Sequence, residues 1–324
     1  MTAIEADELT KVFNGRVVAI DHVSFTVKEG EIFGFLGPNG AGKTTTVRIL
    51  STLLRPTSGT AKICGFDVVK QPDEVRRVIG VVFQEPALDD RLTGRENLDF
   101  HARMYGIERK RRAQRIREVL ELVGLLDRAD ELVRNYSGGM KRRLELARGL
   151  MHYPKVLFLD EPTLGLDVQS RRIIWDYVLK LNRDEGVTMF LTTHYLEEAE
   201  FLARRVAIID RGRIIASDTP SNLKDLMGKD VITLSCARAR ELAEVLAKEG
   251  WVKDVKLTDG KHLSIYVEKG EGKVPKVVKL AEQMAIEVEA VSLRRPTLED
   301  VFIHLTGKVP LEERAERQGK PWRH

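Results

Sequence analysis

Cysteine is nearly missing from this chain of 324 residues, with only Cys64 and Cys236 present. They stand at neither metal-ligand nor redox spacing, which excludes thiol chemistry and leaves small buried or half-buried side chains. Long apolar runs are missing too. No stretch approaches eighteen hydrophobic residues, the length a helix needs to cross a bilayer. The opening MTAIEADELT has neither the basic nor the apolar region of a secretory signal, so the expected location is the cytoplasm. Asn and Gln are sparse among 31% charged residues, a bias shared with heat-adapted proteins. No internal repeat of fixed period occurs. A strong charge imbalance is also lacking, the formal net charge being +4. Much of the basic character sits in RMYGIERKRRAQRIRE (103–118), where a nucleic acid or an anionic lipid could bind. The spacing of Ile116, Val119, Leu120 and Val123 favours instead the solvated face of an amphipathic helix.

Against these absences stands one glycine-rich stretch, GFLGPNGAGKTTTVRIL (34–50). Gly37, Gly40 and Gly42 fall within six residues, and each costs conformational entropy on folding, so the backbone is expected to approach a ligand that side chains would exclude. EIFGFL before them reads as a buried strand, and TTTVRILSTLL after them as a helix with Val47, Leu50 and Leu54 on one face. Gly37 to Thr44 fits G-x-x-x-x-G-K-[ST], the phosphate-binding loop. The candidate contacts are Gly37, Pro38, Asn39, Gly40, Ala41, Gly42, Lys43, Thr44 and Thr45. Backbone N–H groups circle a phosphate, Lys43 reaches the outer phosphates, and Thr44 ligates magnesium. The expected ligands are a nucleoside triphosphate and Mg2+.

Residues 1–222 alternate strand-like and helix-like segments, with VLFLD (156–160), VTMFLTT (187–193) and RVAIID (205–210) as buried strands, an α/β layout with a parallel core sheet. IEADELTKVF and RVVAIDHVSFTVKEG read as antiparallel strands joined near Asn14-Gly15. Residues 91–151 read as a helical subdomain. Near SDTPSNLKDLMGKD (217–230) the pattern shifts, and residues 229–307 follow a β-α-β-β-α-β order, a small α+β ferredoxin-like domain. The tail, 308–324, is polar and expected to be loose, with a helix possible at VPLEERAER.

A phosphate-binding loop needs a second carboxylate to hold its metal ion, and VLFLDEP supplies it. Asp160, at the strand end, is the candidate metal ligand, and Glu161 the candidate general base for water attack on the γ-phosphate.

With YSGGM (136–140) in view, the chain resembles the ATP-binding cassette (ABC) family, whose LSGGQ signature also precedes the VLFLDEP-type strand. Gln84 resembles that family's Q-loop residue, Gly165-Leu166-Asp167 its D-loop, and His194 its switch histidine. The resemblance covers residue 4 to about 222 and implies an ABC nucleotide-binding domain, with its parallel core sheet, antiparallel β-layer and helical subdomain, and it implies that the nucleotide is ATP. It implies that Phe13 stacks on adenine, that Gln84 contacts magnesium or the attacking water, and that His194 reaches the γ-phosphate. It also implies that Tyr136, Ser137, Gly138, Gly139 and Asp167 contact nucleotide held by the phosphate loop of a second cassette. Ser137 can donate a hydroxyl hydrogen bond there, and the two glycines expose N–H groups at a helix start. Met140, Tyr136 and Phe13 depart from the family's usual glutamine, leucine and tyrosine.

Two classes of ABC protein compete for the function: the ATPase subunit of a transporter, and a soluble ATPase acting on nucleic acid or ribosomes. No sustained heptads separate Thr44 from Tyr136, unlike the coiled-coil DNA-repair relatives, and one cassette stands where translation factors usually carry two. FQEPALDDRLTGRENLDFHARMYG (83–106) and RPTLEDVFIHLTG (295–307) resemble the daunorubicin-resistance type of multidrug and lipid exporter ATPases. That likeness implies a separate transmembrane permease, a homodimer or heterodimer of ATPase subunits on the inner face of the membrane, and no nucleic acid. It makes Glu85 to Arg95 the candidate coupling contact, and the C-terminal domain regulatory or dimer-steadying.

Overall fold

The opening hairpin forms where Asn14-Gly15 predicts it. Strands β1 (Thr2–Phe13) and β2 (Val17–Lys28) pair antiparallel across a turn in which both residues have positive φ, 51° at Asn14 and 65° at Gly15. A tight turn of that hand matches the twist of the strands it joins. The computed structural model describes residues 1–85, 87–257 and 260–307, in two compact units that divide at Ser217, inside the stretch where the sequence pattern shifts.

In the first unit the hairpin belongs to a four-stranded sheet, ordered β2-β1-β4-β5, with β4 (Ser58–Ile63) and β5 (Phe66–Asp67). Beside it runs a six-stranded sheet of β3 (Ile32–Leu36), β6 (Ile79–Val82), β7 (Val156–Asp160), β8 (Thr188–Thr193), β9 (Arg205–Asp210) and β10 (Arg213–Asp218). Its order is β10-β9-β3-β8-β7-β6, and the pairs from β9 to β6 are parallel. Every residue of β3, β7 and β8 is buried, as their uninterrupted apolar runs require of strands covered on both faces. Phe25 of β2 stacks within 5.5–5.7 Å of Phe33, Phe35 and Phe190, fastening the antiparallel layer to the core sheet.

Helices α1 (Lys43–Leu50), α2 (Pro72–Val78), α6 (Val168–Glu185) and α7 (Leu196–Leu202) flank the core strands. The helical subdomain comprises α3 (Gly94–Met104), α4 (Arg109–Leu122) and α5 (Gly138–Gly149). The basic cluster falls largely on α4, whose Ile116, Val119 and Leu120 are buried together with Val123, as the spacing predicts.

The second unit holds an antiparallel sheet of β11 (Asp230–Cys236), β12 (Val252–Leu257), β13 (His262–Val267) and β14 (Val288–Arg294), ordered β12-β13-β11-β14. Helices α9 (Ala239–Leu246) and α10 (Val274–Gln283) share its core with Ile232, Leu234 and Ile265. Two helices flank the expected β-α-β-β-α-β run, α8 (Pro220–Asp225) and α11 (Leu298–Thr306), the latter opened by a Thr297–Asp300 capping box. The tail expectation, including a helix at VPLEERAER, falls outside the described residues. Among the described residues no helix is long and apolar enough to cross a membrane.

Candidate nucleotide site

Strand β3 ends at Leu36, and the chain swings through the glycine-rich loop into α1. The glycines there serve two ends, where the sequence suggested one. A Cβ on Gly37 would lie 2.3 Å from the Ile209 carbonyl oxygen, so the neighbouring strand β9 by itself demands a glycine there. Gly40 has nothing within 4 Å of its would-be Cβ and a φ of 79°, so its conformation needs glycine while its surroundings stay open.

Lys43, at the start of α1, is only 4% exposed. Its ammonium donates to the carbonyls of Gly37 at 2.8 Å and Pro38 at 3.2 Å, and pairs with Glu161 Oε1 at 3.0 Å. The other Glu161 oxygen lies 3.0 Å from His194 Nδ1. Burial pushes the Glu161 carboxyl up, but the His194 hydrogen bond and the Lys43 charge outweigh it and hold the group below the ordinary carboxylate range. Its backbone is left-handed, with φ 49°, and the N–H is held by the Thr192 carbonyl at 3.0 Å and hydroxyl at 3.1 Å. Strained backbone of this kind persists only where the surroundings over-determine it. At Asp160 the balance reverses. Burial dominates and raises its carboxyl, although the Thr192 hydroxyl donates to Oδ1 at 2.5 Å and that of Thr44 at 3.3 Å. Adjacent acids on one strand end are therefore shifted in opposite directions, Asp160 up by burial and Glu161 down by its His194 and Lys43 partners.

These groups meet in a cavity of about 360 Å³ lined by Asn39, Gly40, Gly42, Lys43, Thr44, Thr45, Gln84, Glu161 and His194, with Ala19 and Leu164 completing the wall. It opens at the carboxyl ends of β3, β7 and β8, the usual place for a ligand on an open α/β sheet. Thr44, Gln84 and Asp160 also line an adjoining cavity of about 560 Å³ with Arg48 and Glu85. The donor set of Thr44 and Asp160 is oxygen only, and only one of the two carries charge. That suits magnesium, which keeps most of its shell for water and phosphate.

Other expected residues lie elsewhere. Phe13, 38% exposed at the end of β1, has the Lys11 ammonium 5.3 Å from its ring centre. Tyr136 turns inward. Its hydroxyl donates to the Arg128 carbonyl at 2.7 Å and its side chain is buried, so it supports the signature loop from beneath and presents no hydroxyl to a ligand. Ser137 caps α5, accepting from the Met140 N–H at 3.2 Å. Gly138 and Gly139 stand beside Leu166 and Ser170, and Asp167 caps α6 through the Ser170 N–H at 2.8 Å. None of residues 136–139 or Asp167 lines the phosphate-loop cavity. Thr192, which binds both acids, was missed because a threonine inside an apolar strand carries no chemical signal until its neighbours are known.

The ABC transporter family profile matches residues 20–164, and that of the ATP-binding protein DrrA1-3-like C-terminal domain matches residues 219–306. The daunorubicin/doxorubicin resistance ATP-binding protein DrrA of Streptomyces peucetius is 42% identical over 98% of this chain and 96% of its own length. The linearmycin resistance ATP-binding protein LnrL of Bacillus subtilis (strain 168) is 39% identical over 94% and 98%. Among solved structures, the ATP-binding cassette MJ0796, in a dimeric post-hydrolysis state bound to ADP and Pi, matches 67% of this chain and 98% of its own with TM-score 0.60 at 29% identity. These relatives place the chain with transporter ATPases, apart from the cassettes that act on nucleic acid or ribosomes. With the phosphate loop, the paired acids and both profiles in place, the chain belongs to the ABC transporter family, as an ATP-binding and ATP-hydrolysing subunit of the daunorubicin-resistance type.

Proposed function

We propose that this subunit hydrolyses ATP between two cassettes, identical or related, and thereby drives export of a drug-like or lipid substrate through a separate membrane permease on whose inner face it sits. The observation that carries the reading is the seat of Glu161, gripped by Lys43 and His194 inside the phosphate-loop cavity, while the signature residues lie outside that cavity. A site with half its grips missing calls for a second chain. Ser137, Gly138, Gly139 and Asp167 of one cassette would then close on nucleotide held by the other, and Phe13 would stack on the base.

The local chemistry follows from charge. Phosphates entering the loop draw the Lys43 ammonium off the Gly37 and Pro38 carbonyls and off Glu161. Freed of that pair, the buried Glu161 carboxylate becomes a better base and accepts the proton of a water facing the γ-phosphate. His194 holds its second oxygen and Gln84 orients the water. Thr44 and Asp160 would hold Mg2+, which when bound offsets the negative charge of the phosphates. The adjoining cavity, with Glu85 and Ala87 in its wall, supports this surface, within Glu85 to Arg95, as the contact with the permease. Names of relatives such as daunorubicin/doxorubicin and linearmycin resistance proteins support amphiphilic drugs as the substrate class.

Glu161→Gln tests the reading. It should keep ATP affinity within a few-fold, lower turnover by at least roughly a hundredfold, and trap an ATP-bound dimer on size exclusion. Wild-type turnover by this variant would refute the base assignment. Lys43→Ala should instead weaken ATP binding itself, read by nucleotide titration.

A further inference from the structure

Arg142 stands in the middle of three consecutive cations, Lys141-Arg142-Arg143, yet it is only 7% exposed. Its guanidinium spends its donors on three backbone carbonyls: Nε on Pro162 at 2.5 Å, Nη1 on Phe83 at 2.6 Å and Nη2 on Asp160 at 3.3 Å. Those carbonyls are not arbitrary. Phe83 immediately precedes Gln84, and Asp160 and Pro162 flank Glu161 on either side. One turn along α5, the fully buried Glu145 accepts the Ala87 N–H at 2.7 Å and is itself held by Arg148 at 2.7 and 3.1 Å. The segment carrying Gln84 is thus tied to α5 at Phe83 by a cation and at Ala87 by an anion.

A guanidinium is a rigid planar fork, so carbonyls bound to it share a fixed geometry. Charge-assisted bonds of this kind, removed from water, are strong enough to hold loop backbone in place. Gln84 and Glu161 line the same cavity from different loops, and water attack needs both at a set separation. We infer that Arg142, backed by Glu145, is a positioning residue that sets the spacing between Gln84 and Glu161 for hydrolysis. It does so from the helix that begins with the signature residues, so any tilt of α5 moves both loops together. The inference rests on the roles given above to Glu161 and Gln84.

The test is steady-state ATP hydrolysis by the full chain, with ATP affinity by nucleotide titration and thermal unfolding measured alongside. Arg142→Met should lower kcat roughly tenfold to a hundredfold, the scale of a misplacement near 1 Å, with KM and ATP affinity within about threefold. Arg142→Lys, which can still reach one carbonyl, should recover part of the loss. Arg143→Met is the control, because Arg143 donates to the Val123 and Gly124 carbonyls, away from the site, and its kcat should stay at the wild-type value. Wild-type turnover by Arg142→Met, or a loss of ATP affinity as large as the loss of kcat, would overturn the inference. Should Arg142→Met fail to fold, Glu145→Ala, which releases the Ala87 N–H, is judged by the same criteria. Glu161→Gln separates the two levels: an active Glu161→Gln removes the catalytic reading beneath, whereas an inactive one beside a fully active Arg142→Met removes this inference alone.

Discussion

At Glu161 Lys43 and His194 hold the carboxylate while Thr192 holds the backbone N–H, and the residue-scale consequence is that small changes nearby carry large effects. Thr192 gives the clearest case. Its hydroxyl donates to Asp160 Oδ1 and accepts from the Glu161 N–H, both inside the core. Thr192→Val keeps the shape but takes one partner from each acid, leaving the Glu161 N–H only the Thr192 carbonyl and Asp160 Oδ1 only the longer Thr44 bond, so it should cost about 1–2 kcal/mol in denaturant unfolding, with an accompanying fall in turnover. A second residue with a measurable role is Asp300 in the C-terminal unit. Burial pushes its carboxyl up, but Arg294 at 2.6 and 2.9 Å, the Thr297 N–H and the Tyr266 hydroxyl bring it down to about 2. Because the folded value lies below the unfolded 3.8, its contribution of about 2 kcal/mol is complete above roughly pH 4 and vanishes as pH falls toward 2. Asp300→Asn should lower the thermal midpoint at pH 7 and remove that acid-limb slope. An unchanged pH profile would count against the assignment.

Among elements, the glycine-rich loop separates two demands that look alike on paper. Gly37 is pressed against the Ile209 carbonyl of β9, while Gly40 needs only its left-handed backbone. Gly37→Ala should therefore destabilise by about 3 kcal/mol or more, since a backbone atom cannot yield as a flexible side chain can. Gly40→Ala should cost only about 1–2 kcal/mol, the penalty for a left-handed alanine. Denaturant unfolding of the two variants compares them directly, and equal losses would mean the loop is loose enough to absorb the clash. Helix α5 shows the opposite arrangement, one element with many duties: Ser137 caps it, Leu144 and Leu146 bury it, and Arg142 and Glu145 tie it to neighbouring loops.

For the whole molecule the question is completeness. The phosphate-loop cavity and the signature residues occupy separate places on one chain, so chains with complementary lesions should rescue each other. A mixture of Lys43→Ala and Ser137→Arg proteins, each inactive alone, should regain hydrolysis because one composite site in the mixed dimer is intact. Mixing without recovery would show that the two regions do not act across a pair. If the site is shared between two chains as proposed, specific activity should also fall on dilution.

The sequence by itself determined what is local: the phosphate loop, the Asn14-Gly15 turn, the buried strands, the amphipathic face of α4 and the β-α-β-β-α-β order. Each rests on spacing along the chain, and period and turn chemistry are properties of neighbours in sequence. Only the tertiary structure decided that Gly37 serves strand packing, that Tyr136 points inward, that Thr192 joins the two acids, and that Arg142 is buried in the middle of a basic run. Three of those depend on a partner far away along the chain, Ile209, Asp160 or Phe83, brought close by the fold, and Tyr136 is turned inward by the Arg128 carbonyl eight residues before it. No pattern in the residues alone distinguishes a solvated arginine from one enclosed by three carbonyls.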